Sequence, residues 1–112
     1  MQAKKYYILD ADNKTPKPVN ILDWTYWMLK AKRVVAKYDH DDVLVSTIFT
    51  GKLELSKQGT PYFFETLIFT DTETGTAQRY STWQDAENGH RDIVRSIRVN
   101  TKANNLRKKR HV

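Results

Sequence analysis

The stretch Pro61-Tyr62-Phe63-Phe64-Glu65-Thr66-Leu67-Ile68-Phe69-Thr70, followed by Asp71-Thr72-Glu73-Thr74-Gly75, decides the fold. Its density of aromatic and β-branched residues between turn formers reads as a central strand. The glycine-ended turn then sends the chain back along residues 76–80 as an antiparallel hairpin. Upstream, residues 34–38 and 43–50 make a second pair of strands around Asp39-His40-Asp41-Asp42, whose short polar side chains suit a tight turn. Gly51 and Lys57-Gln58-Gly59 lead from one pair to the next, giving an antiparallel meander. Residues 4–9 add a first strand, ended by Asp10-Ala11-Asp12-Asn13 and a loop containing Pro16 and Pro18.

Two helices flank this meander. Asn20 is a good N-cap, and Asp23 three residues on complements the positive end of a helix reaching about residue 32, where Lys30, Lys32 and Arg33 suit the negative end. Ser81 with Gln84, or Thr82 with Asp85, forms a capping box before a second helix over residues 83–99. Trp83, Ala86, Ile93, Val94 and Ile97 form its apolar stripe, and His90 occupies the vacant position in that stripe. The fold class is therefore α+β: an antiparallel sheet of four to five strands with two packed helices, in one domain over residues 1–99. Beyond it the apolar periodicity stops, and residues 100–112 read as a flexible basic tail.

Charge sharpens that division. Of nineteen Lys and Arg, six lie from Arg98 onward with no acidic residue among them, which leaves thirteen against thirteen Asp and Glu in residues 1–97. Lys102, Arg107, Lys108, Lys109 and Arg110 are accordingly candidates for non-specific, salt-sensitive nucleic-acid contact. The absence of cysteine excludes disulfides, thiolate nucleophiles and zinc fingers, and no apolar run has signal-peptide or membrane-spanning length. A cytoplasmic location is expected, with no membrane partner. Nucleotide-binding glycine loops are missing, and neither Asp10-Ala11-Asp12 nor Asp39-His40-Asp41-Asp42 has the spacing of a metal site, so no metal or cofactor is expected.

Two clusters remain. The first helix is apolar around most of its circumference, more than one sheet-facing stripe requires, so Trp24, Tyr26 and Trp27 are candidates for a partner surface, with at least one of them exposed. Their other reading is ordinary core. If Thr70 stands opposite Thr76, Glu65 lies diagonal to Arg79 on a face shared with Phe63, Leu67 and Phe69. The second helix should cover that face, bring His90 against the pair and use Gly89 for close approach. Glu65, Arg79 and His90 then make either an acid–base or ligand pocket, or a structural ion pair with a satisfied histidine beside it.

The segments Val45-Ser46-Thr47-Ile48-Phe49, Glu65-Thr66-Leu67-Ile68-Phe69 and Arg79-Tyr80-Ser81-Thr82-Trp83, with Ala86 and Gly89-His90, resemble a family of small bacteriophage- and prophage-encoded proteins. The likeness covers about residues 20–94, and no activity, cofactor or partner comes with it. It implies a protein that acts by binding, such as an inhibitor of a host defence or transcription component. The sequence reading is thus a non-enzymatic binder of a host or phage protein. A nucleic-acid accessory protein using the tail comes second, and an enzyme built on Glu65, Arg79 and His90 third; oligomeric state is left open.

Overall fold

A computed structural model describes residues 5–110, with side chains described as far as residue 100. The elements are β1 (Tyr7–Leu9), β2 (Pro16–Pro18), α1 (Ile21–Lys30), β3 (Val34–His40), β4 (Val43–Leu55), β5 (Pro61–Phe69), β6 (Thr74–Tyr80) and α2 (Trp83–Arg110). Strands β3 to β6 form one antiparallel sheet in chain order, which is the expected meander, and β1 with β2 forms a separate two-stranded ribbon.

Local chemistry explains each corner. Asp41 and Asp42 hold positive φ angles of 50° and 63° between β3 and β4, the backbone of a two-residue hairpin whose twist matches its strands. Asn20 accepts a bond from the Asp23 backbone N–H and starts α1. Of the two caps open to α2, the structure uses Thr82, whose hydroxyl accepts from the Asp85 N–H at 3.0 Å.

Phe49 and Phe64 are cross-strand partners, fully buried at the centre of the core with Leu9, Tyr80 and Ala86. Trp27 of α1 packs edge-on against Phe49, and Trp83 of α2 packs edge-on against Phe64. Both helices therefore lie on the sheet face that carries Phe49 and Phe64. Strand β4 runs through Gly51, whose φ is +78° and where a Cβ would press on Trp24 and Met28. The Trp24 indole N–H donates to the Gly51 carbonyl at 2.8 Å, fixing α1 to the sheet through backbone that only glycine leaves accessible.

Three expectations need correcting. Pro16 and Pro18 belong to a strand: they stand opposite Leu9 and Tyr7, as proline can in a short edge strand. The hairpin register also differs: the turn is tighter than expected, with Phe69 opposite Thr74 and Leu67 opposite Thr76, and a bulge between Thr66 and Leu67 then sets Glu65 directly opposite Arg79. Finally, α2 does not stop near Val99; its backbone stays helical to Arg110. Residues 100–110 contain no Gly or Pro, and five of the eleven are Lys or Arg, which favour a helix, so the end of the apolar stripe does not end the helix.

Candidate functional site

The pocket expected from Glu65, Arg79 and His90 is not assembled. Glu65 and Arg79 do share a face, but residues alternate along β5, and the face under α2 belongs to Phe64 and Thr66. Glu65 points away from it. The Arg79 Nε lies 2.9 Å from Glu54 Oε2 and 4.0 Å from Glu65 Oε2, a partly exposed cluster on the side of the sheet opposite His90.

His90 does point inward, as its place in the stripe requires, and is almost fully buried. Its Nδ1 lies 2.8 Å from the Thr47 hydroxyl, which lies 2.6 Å from Thr66, which lies 2.9 Å from the Tyr80 hydroxyl. Each hydroxyl has one proton to give, so the chain that satisfies every donor runs from Tyr80 to Thr66 to Thr47 to Nδ1. This direction makes Nδ1 the acceptor and leaves the His90 proton on Nε2. Burial pushes the His90 pKa below the ordinary imidazole value. Burial likewise raises the Tyr80 phenol above its usual range, with a further upward push from Asp92. Gly89 allows the close approach expected of it: a Cβ there would overlap the Tyr80 ring.

The outer wall of this chain opens on a cleft of about 510 Å³ between edge strand β3 and one flank of α2. Tyr38 and His90 line it together with Arg91, Arg95 and Arg98, Lys37 lies on its edge strand, and Glu87 is its single carboxylate. Arg91, Arg95 and Arg98 are exposed, and none of them forms an ion pair among the described residues. The sequence reading missed this group because it summed charge along the chain. The signal was there at i, i+4 and i+7, which brings three arginines onto one flank of a helix.

The first-helix candidates divide. Trp24 and Trp27 are partly buried anchors, whereas Tyr26 is 66% exposed. Leu22 at 62% and Leu29 at 74% flank it at helical spacing, and Ile21 at 56% adjoins them. No residue of α1 is fully buried. The surplus of apolar surface is real, and it faces outward.

Neither acidic segment is arranged as an ion site. Asp12 accepts bonds from the Thr15 hydroxyl and from the Thr15 and Lys14 N–H groups, which hold its carboxyl below the usual range and close its own loop. His40 pairs with Asp41 in the open at 3.1 Å, and no group of three or more metal-ligating residues occurs among the described residues. Lys102, Arg107, Lys108, Lys109 and Arg110 lie outside the residues whose side chains are described. No helix among the described residues is long and apolar enough to cross a membrane.

No family model matches the chain, and no curated protein or solved structure matches it either.

Proposed function

We propose that this chain is a non-enzymatic binding protein that presents the outer face of α1 to an apolar groove on a protein partner. The observation that carries this reading is the exposure of Leu22, Tyr26 and Leu29 at positions i, i+4 and i+7 of one short helix. That spacing is how an amphipathic helix anchors itself in a groove. A free peptide of ten residues would be marginally helical. Here the helix is held in place from beneath by the Trp24 bond to Gly51 and the packing of Trp27 on Phe49, so binding carries little ordering cost. Tyrosine and leucine left bare on a structured helix favour an interface over a core role.

The enzymatic reading loses its basis, since His90 and the Glu65–Arg79 pair lie on opposite faces of the sheet. The resemblance to phage-encoded proteins supports a partner in the host cell or among the phage's own proteins.

The test is site-specific photocrosslinking in the producing cell, with the crosslinker at position 26 and, as control, at Asp71 in the distant β5–β6 turn. A discrete protein adduct from position 26 alone, lost on Leu22→Glu/Leu29→Glu, is the expected result. An adduct that survives the double substitution, or forms equally from position 71, would overturn the reading. Since both leucines are exposed, the thermal midpoint should not move.

A further inference from the structure

We infer that the cleft between β3 and α2 binds single-stranded nucleic acid, with Arg91, Arg95 and Arg98 on the phosphates and Tyr38 beneath a base. This goes beyond the α1 reading and shares no residue with it.

Arginine charge gathers on one flank of α2. Three arginines spanning about 10 Å of helix project along one flank, with no ion pair among the described residues, and only Glu87 opposes them in the cleft. The carboxylates that balance the rest of the helix, Asp85 and Asp92, border a different depression beside β6. The flank of α2 above β3 is thus cationic, whereas the flank above β6 carries two aspartates that share their depression with Arg79 of the strand. Such separation of sign across one helix builds a local field suited to a polyanion.

Shape decides between strands and duplexes. The cleft is concave and, at about 510 Å³, has the dimensions of a small-ligand site. A duplex offers a convex cylinder of phosphates with its bases stacked inside. A single strand can lay its backbone along the arginines and turn a base onto an aromatic ring, the usual arrangement in single-strand grooves. Tyr38 is the aromatic residue in the cleft, partly exposed beside the arginine flank. The N–H of His90 at Nε2, left over once Thr47 engages Nδ1, supplies a neutral donor in the same wall. In the sequence, Lys102 and Lys109 repeat the interval set by Arg91, Arg95 and Arg98.

Fluorescence anisotropy of the full chain with labelled oligothymidylate and with a duplex of equal length tests the inference across a salt series. Tighter binding to the single strand is expected. Arg91→Ala/Arg95→Ala/Arg98→Ala should weaken it at least roughly ten-fold at low salt and flatten the log–log salt slope by about 2, three contacts at ~0.7 each. Tyr38→Leu should also lose on the order of ten-fold while Tyr38→Phe binds as the parent does, since stacking needs the ring and not the hydroxyl. Neutralising Arg107, Lys108, Lys109 and Arg110 to glutamine should weaken both ligands alike and preserve the preference for the single strand. Should Tyr38→Leu fail to fold by circular dichroism, the triple arginine variant decides alone, all three residues being exposed. The inference is overturned if that variant binds like the parent, if the duplex is bound as tightly as the single strand, or if nothing binds at low salt.

Discussion

Replacing Gly89 by alanine sets two effects of opposite sign against each other. On an exposed helix the change stabilises, by about 1 kcal/mol of helix propensity. At this position the new methyl would overlap the Tyr80 ring, which is buried between α2 and the sheet and bonded through its hydroxyl to Thr66. Such an overlap is too deep to relax by tenths of an ångström. Either α2 lifts off the sheet, at the typical overpacking cost of about 1–3 kcal/mol, or Tyr80 swings away and loses its bond, worth about 1 kcal/mol net. Subtracting the propensity gain from the overpacking cost leaves a net destabilisation of up to roughly 2 kcal/mol, and a domain of this size should lose up to about 8–15 °C in thermal midpoint.

Calorimetry on Gly89→Ala, Tyr80→Leu and the double variant isolates the cause. If the ring is the obstacle, Gly89→Ala should cost much less once Tyr80 is leucine, a coupling that a purely local helix effect cannot produce. A Gly89→Ala protein more stable than its parent would refute the close approach of α2 to β6. The position of His90 would fall with it.

Other perturbations probe separate parts of the same picture. Because burial lowers the His90 pKa in the folded protein, the unfolded chain takes up the proton first as pH falls below about 6.5, so stability should be full above that pH and decline below it; His90→Gln should remove this decline in acid melts. Tyr80, raised in the fold, stays protonated after the unfolded chain ionises, so stability should fall as pH rises through about 10 and on to the folded value, and Tyr80→Phe should remove that alkaline loss. Glu65→Gln should cost less than about 1 kcal/mol, because Arg79 is partly exposed and keeps Glu54 at 2.9 Å; a loss of several kcal/mol in urea melts would mean the pair is sealed from solvent after all. Thr82→Ala should cost about 1 kcal/mol through the lost cap on α2, read from the same melts.

The meander and both helices were legible because each rests on local chemistry. Asn20 and Thr82 stop the preceding chain and open helices, the aspartates of residues 41–42 adopt the hairpin backbone, and β4 and β5 have side chains that only a sheet accommodates. The β1–β2 ribbon was not legible, since Pro16 and Pro18 argue against a strand wherever both edges are paired, and a ribbon paired on one side escapes that rule. The end of α2 was misplaced for a similar reason. Apolar periodicity reports where a helix is covered, while its backbone can continue past the last covered turn where no glycine or proline interrupts it.

The candidate site failed on one choice of sheet face, and the choice had a visible remedy. Both faces of β5 are apolar enough to lie under a helix: Phe63, Leu67 and Phe69 on one, Phe64 and Ile68 on the other. Counting apolar residues favours the first. A histidine inside a helix stripe must find hydrogen-bond partners once buried, and the Thr47–Thr66 pair supplies hydroxyls for it, whereas the first face offers a carboxylate whose burial would require a full counter-charge. Satisfying His90 therefore selects the face of Phe64 and Thr66, and sends Glu65 and Arg79 to the other. The same step, applied to charge, would have separated Arg91, Arg95 and Arg98 from Asp85 and Asp92 on the helix surface. A sum of thirteen against thirteen describes a neutral domain only if the signs are mixed in space, and on α2 they are not.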